Sequence, residues 1–120
     1  MRVLLTGSAG FIGGAIARAL ADEDIEVVGV DALLSSAHPA DAVLPAGTLR
    51  LDVRDPSGWE DALRGIDVVC HQAALVGAGV TVDDLPDYAA INDLGTATLL
   101  AGMHRAGVHR LVLASSMVVY

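Results

Sequence analysis

Lysine is missing from the chain altogether. All seven cations are arginines, set against fifteen acids, for a formal net charge of −8. A surface of that sign repels phosphate backbones and anionic headgroups, which argues against nucleic acid or membrane as a partner. An anionic small molecule stays compatible, because backbone N–H groups at a helix end act at contact distance while a diffuse surface charge is screened. There is a single cysteine, Cys70, so no internal disulfide forms and a reducing, cytoplasmic setting is expected. Aromatic residues are 3% of the chain and hydrophobic ones 53%. The core must then be filled by Ala, Val, Leu and Ile, as in a sheet covered by helices, and disorder is not expected. His38, His71, His104 and His109 are scattered without a metal-ligand spacing. No apolar run is long enough to span a membrane, and Thr6-Gly-Ser-Ala-Gly10 splits the run that a secretory leader would need. Internal repeats and low-complexity segments are absent.

What is present begins at the N-terminus. Residues 3–5 read as a short strand that runs through glycines 7, 10 and 13 into a helix carrying Phe11, Ile12, Ala15, Ile16, Ala19 and Leu20 at helical spacing. Residues 25–30 read as a buried strand ending in Asp31, and 32–47 as a long connection with room for a short irregular helix. Residues 48–53 form a third strand with Asp52 at its carboxyl end. Asp55-Pro56 then starts a helix that stops at Gly65, and 67–71 is a fourth strand. A small-residue loop, 72–84, follows, with one helical turn over 80–85. From residue 86 to about 106 a long helix places Ala90, Ile91, Leu94, Ala97, Thr98 and Ala101 on one face, and Gly107 ends it. A fifth strand covers 109–114.

Strands alternating with helices imply one α/β domain over 1–120, a doubly wound parallel sheet ordered 3-2-1-4-5. Ligands in such sheets bind beyond the carboxyl ends of the strands, at the switch point between the first and fourth. That directs attention to glycines 7–13, Asp31, Asp52, residues 71–74 and 114–116.

The spacing of the glycines is G-x-x-G-x-x-G rather than G-x-G-x-x-G, and any helix packed on a strand can begin with glycine. Its setting between a strand and a helix, with a second strand ending in an acid, favours a pyrophosphate cradle. Asp31 is either a solvated loop acid or the carboxylate that accepts both ribose hydroxyls of an adenosine. In the second case a 2′-phosphate is repelled, and Ala32-Leu-Leu34 offers no arginine to receive one, so NAD is favoured over NADP. Asp52 either caps its turn or accepts from the adenine amino group, with Val53 as an apolar wall. Ala73 and Ala74 are loop filler, or small side chains that let a cofactor lie against the backbone. Cys70 reads as core and His71 as packed or locally hydrogen-bonded. Asn92 is a weak helix former, buried with a hydrogen bond or simply exposed. Ser115 and Ser116 end a strand, or present a hydroxyl to a substrate oxygen.

With these residues laid out, the chain resembles the NAD-dependent epimerase/dehydratase family, the extended branch of the short-chain dehydrogenases and reductases. Thr6-Gly-Ser-Ala-Gly-Phe-Ile-Gly13 is similar to its T-G-x-x-G-F-I-G signature. Leu51-Asp-Val-Arg-Asp55, His71-Gln-Ala-Ala74, Asn92-Asp-Leu-Gly-Thr96 and Ala114-Ser-Ser-Met-Val-Val-Tyr120 resemble its later motifs in order. The resemblance implies a Rossmann-like fold. It implies a pyrophosphate held by Gly7, Gly10 and Gly13 with the Phe11 and Ile12 backbone, Asp31 on the ribose, Asp52 and Val53 at adenine, Ala73 and Ala74 along the cofactor, and Ser116 as the catalytic serine. It also implies NAD, a nucleotide-sugar or similar small-molecule substrate, no metal, and a homodimeric full-length enzyme. The family's acid/base is a tyrosine in a Tyr-x-x-x-Lys pair downstream of the serine, and the chain has no lysine. Residues 1–120 are therefore expected to be a fragment, incomplete at its C-terminal side, that holds NAD without turning it over. The alternative is a non-catalytic NAD-binding sensor or protein-interaction module.

Overall fold

The computed structural model describes residues 1–77 and 81–116. Its centre is a five-stranded parallel sheet in the order β3-β2-β1-β4-β5, formed by β1 (Arg2–Thr6), β2 (Glu26–Asp31), β3 (Leu49–Arg50), β4 (Val68–His71) and β5 (Leu111–Leu113). This is the doubly wound order expected from the alternation of strands and helices. Thr6 is paired with Val30 on one side and His71 on the other, so the carboxyl ends of β1, β2 and β4 are level.

Residues 3 to 6 of β1 are all buried, as a central parallel strand covered on both faces requires. Val3, Leu5 and Cys70 face helix α1 (Phe11–Asp22) and pack on Ile16, Ala17 and Leu20. The alternate residues Leu4 and Val69 face the other layer with Val30, Trp59, Leu63, Leu99 and Met103. Each such aliphatic side chain contributes roughly 1.5–3 kcal/mol by leaving water.

Several elements differ from the pattern expected of them. The α1 face toward the sheet is Gly13, Ile16, Ala17 and Leu20, whereas Phe11, Ile12, Ala15 and Ala19 are exposed. The connection 32–47 holds turns and no helix. β3 is two residues long, so Asp52 lies beyond the strand rather than at its end. Helix α2 (Trp59–Ala62) is a single turn, because Asp55 does not cap a helix: its Oδ1 accepts the Ser57 N–H and O–H at 2.8 and 2.7 Å, closing a local turn.

The long helix after residue 86 is three pieces, α3 (Leu85–Tyr88), a π-helical turn over Ala89–Leu94, and α4 (Gly95–Ala106). A short 3₁₀ turn at Val82–Asp84 precedes them, with Thr81 and Asp84 reciprocally capped, and residue 80 of the turn expected there lies outside the described residues. Its buried face is Ile91, Gly95, Leu99, Gly102 and Met103; Leu94, Ala97 and Ala101 are exposed. The two glycines are buried because larger neighbours rest on them. A Cβ at Gly95 would stand 2.6 Å from Val53 Cγ2, and one at Gly102 would stand 2.8 Å from Trp59 Cβ. Gly107 ends α4 in the left-handed conformation, φ 70°, as expected.

Candidate active site: a cleft at the switch point

The turn between β1 and α1 is locked by its glycines. Gly7 has φ +68°, and a Cβ there would stand 2.8 Å from the Ala73 amide nitrogen. A Cβ at Gly13 would collide with the Gly7 carbonyl. Gly10 is the N-cap of α1, with no side-chain cap and no acid in the first turn, so the N–H groups of that turn and the positive dipole end are left to a ligand.

The turn forms one side of a cleft of about 350 Å³. Gly7, Gly10, Phe11, Ile12, Gly13, Asp31, Asp52, Val53, Ala73 and Ala74 all line it, so the residues singled out in the sequence for a dinucleotide meet in one place. Ser116 does not line it; it follows β5 and is exposed. Tyr120 and the rest of the serine motif lie outside the described residues.

Asp31 is buried at the end of β2. Its Oδ2 accepts the Ala9 N–H at 3.0 Å, and its Oδ1 accepts the Leu33 N–H at 2.9 Å. The second bond holds Leu33 at φ 50°, a region that a branched side chain enters only when its surroundings enforce it. His38 Nε2 stands 3.3 Å from Asp31 Oδ1 and lines the cleft. That partner is not legible in the sequence, since the loop carrying His38 has no periodicity to place it.

Asp52 is held more firmly than a turn cap. Its Oδ1 accepts the Arg54 backbone N–H and Nε–H, both at 2.9 Å, and its Oδ2 accepts Nη2–H at 2.6 Å. The Arg54 side chain, against the opposing effect of partial burial, holds the Asp52 carboxyl below the usual carboxylate range, and the carboxylate in turn raises the guanidinium.

On the opposite wall, Thr6 Oγ1 accepts the N–H groups of Gln72 and Ala73, each at 3.1 Å. Thr6 Oγ1 also lies 2.6 Å from His71 Nδ1, and His71 Nε2 lies 3.1 Å from Thr96 Oγ1. His71 is thus hydrogen-bonded at both nitrogens, and burial pushes its pKa down. Asn92 uses its amide on one residue: Oδ1 accepts the Leu75 N–H at 2.8 Å and Nδ2–H donates to the Leu75 carbonyl at 3.0 Å. Ala73 and Ala74 are therefore fixed from both flanks by side chains whose pairing a sequence cannot show. Among the described residues no group of His, Cys, Asp and Glu could hold a metal ion, and no helix is long and apolar enough to cross a membrane.

Comparison with known proteins agrees with this geometry. The model of the NAD dependent epimerase/dehydratase family matches residues 3–120. The chain is 34% identical over 116 residues to a 2-alkyl-3-oxoalkanoate reductase of Stenotrophomonas maltophilia, covering 97% of this chain and 33% of that protein. It is 36% identical over 122 residues to a UDP-glucose 4-epimerase of Streptomyces lividans, covering 99% and 37%. Among solved structures, the Thermus thermophilus UDP-glucose 4-epimerase in complex with NAD superposes with a TM-score of 0.82 at 38% identity, covering 97% of this chain and 38% of that one. The chain thus spans about a third of the length of the curated relatives it matches.

Proposed function

We propose, from the premise that the chain belongs to the NAD-dependent epimerase/dehydratase family, that residues 1–120 form the cofactor-holding part of an enzyme acting on a nucleotide-linked sugar. The reaction is hydride transfer between a carbinol or carbonyl of that substrate and NAD. The observation that carries the reading is the single cleft in which the glycine turn, Asp31, Asp52 and the Ala73–Ala74 backbone converge. It is supported by the NAD complex of the Thermus epimerase, a structural neighbour.

The residues fit the group. The uncapped first turn of α1 and the backbone of the glycine cradle hold a pyrophosphate; a side chain at Gly7 or Gly13 would collide with the Ala73 or Gly7 backbone and break the turn that forms the cradle. Asp31 Oδ2 accepts one backbone N–H and keeps lone-pair capacity for a ribose hydroxyl, Oδ1 is shared between the Leu33 N–H and His38, and the carboxylate charge opposes a 2′-phosphate. Asp52 and Val53 border the adenine end, and Ala73 and Ala74 leave the backbone accessible along the cofactor. Bound NAD supplies the hydride acceptor or donor. Ser116 orients the substrate oxygen, and the acid/base tyrosine with its lysine lies in the part of the enzyme beyond these residues. A cytoplasmic homodimer completes the proposal.

Titration of the chain with NAD and NADP by calorimetry tests it. Saturable NAD binding at least about tenfold tighter than NADP is expected, a difference of ~1.4 kcal/mol. Asp31→Asn should weaken NAD and narrow the gap. Residues 1–120 alone should reduce no NAD with UDP-glucose present. No saturable binding, equal affinities, or turnover by residues 1–120 would overturn the reading.

A further inference from the structure

Resting on the cofactor reading, we infer that His71 is a neutral imidazole with its proton on Nε2. It is a positioning residue that ties the backbone amides of the cleft wall to α4. The hydrogen bonds can be assigned one proton at a time. A hydroxyl has two acceptor lone pairs and one proton. Thr6 Oγ1 spends both lone pairs on the Gln72 and Ala73 N–H groups, so its proton goes to its remaining neighbour, His71 Nδ1. Nδ1 is therefore the acceptor nitrogen, and the ring proton sits on Nε2, directed at Thr96 Oγ1. The Thr96 hydroxyl passes its own proton to the Asn92 carbonyl at 2.6 Å. That carbonyl belongs to the π-helical turn, where the regular helical ladder is interrupted.

The series runs one way, from the amides of 72 and 73 through Thr6, His71 and Thr96 to the Asn92 carbonyl, and every donor in it has an acceptor. A second ring proton has no place. On Nδ1 it would point at a Thr6 oxygen whose lone pairs are both taken, and would drive off the Gln72 or the Ala73 amide. The hydrogen-bond partners of the ring are Thr6 on β1 and Thr96 on α4, and the register partner of His71 on β5 is Leu113; none of the three is ionisable. Burial, which disfavours the charged ring, acts in the same direction. Thr96 does not line the cleft; it reaches the Gln72 and Ala73 amides through His71 and Thr6, whereas its bond to the Asn92 carbonyl leads to Leu75 on the other flank.

Nitrogen-15 NMR of the unliganded chain tests the assignment without any variant. His71 should show a protonated Nε2 and a bare Nδ1 at neutral pH, and should keep that state below the pH at which an ordinary histidine titrates. The same spectra of Thr96→Val should show displaced Gln72 and Ala73 amide signals, and NAD affinity should fall severalfold; Thr96→Ser should restore both. An Nδ1–H tautomer, a charged ring at neutral pH, or a Thr96→Val chain with unmoved amides and unchanged NAD affinity would overturn the inference. Should Thr96→Val not fold, the tautomer of the unaltered chain still decides. The predicted tautomer and amide shifts in a chain that bound no NAD would sustain the His71 assignment and defeat the cofactor reading.

Discussion

Arg54 spans both oxygens of Asp52, and that pair makes stability respond to acid. The folded-state pKa of Asp52 is lowered, so the stabilisation is complete above the unfolded carboxylate value of about 3.9 and is lost as pH falls through the lower folded value. Urea denaturation of wild type and Arg54→Gln should therefore show a gap at neutral pH that closes in acid. Curves that stay parallel down to the acid limit would contradict the pairing. The gap should be modest, since both side chains are partly solvated. Asp31 and Asp52 were legible as acids placed where strands give way to loops. Their protein partners His38 and Arg54 were not, because a loop side chain finds its neighbour only when the chain folds back.

Periodicity located α1 and the long helix after residue 86 and picked Ile16, Leu20 and Ile91 correctly, but it misjudged part of each face. Side-chain hydrophobicity selects Leu94, Ala97 and Ala101 along the π-helical turn and α4. The fold instead buries Gly95 and Gly102, where the absence of a side chain admits Val53 and Trp59. A groove made by missing atoms carries no hydrophobic signal. The π-helical turn was equally silent, since nothing in Ala89–Leu94 departs from helical composition. Gly102→Ala should consequently destabilise the chain by about 1–3 kcal/mol through overpacking against the fully buried Trp59, although alanine is the better helix former. Ala101→Gly, on the exposed side of the same helix, should cost at most about 1 kcal/mol. Equal effects of the two changes in chemical denaturation would refute the asymmetry.

Across the molecule, the strand order and the location of the cleft were readable because they follow from chain topology: alternating elements, right-handed crossovers and one reversal of direction leave few alternatives. Exposure at the far edge was foreseeable for the same reason. Among the described residues β5 pairs only with β4, and Val112 and Leu113 are 55% and 53% exposed. An open edge with apolar side chains invites pairing with another copy. Sedimentation of the 120-residue chain at rising concentration should show self-association, and Val112→Lys should suppress it; a monomer at every concentration would count against this.

Trp59 lies fully buried between α2 and α4 and is the only tryptophan of the chain. It stands apart from the cleft lining, and its indole nitrogen has no hydrogen-bond partner. The molecule therefore carries a built-in optical reporter. Its emission follows the integrity of the fold and is not directly contacted by whatever enters the cleft, so unfolding and ligand binding can be watched in the same sample through separate signals.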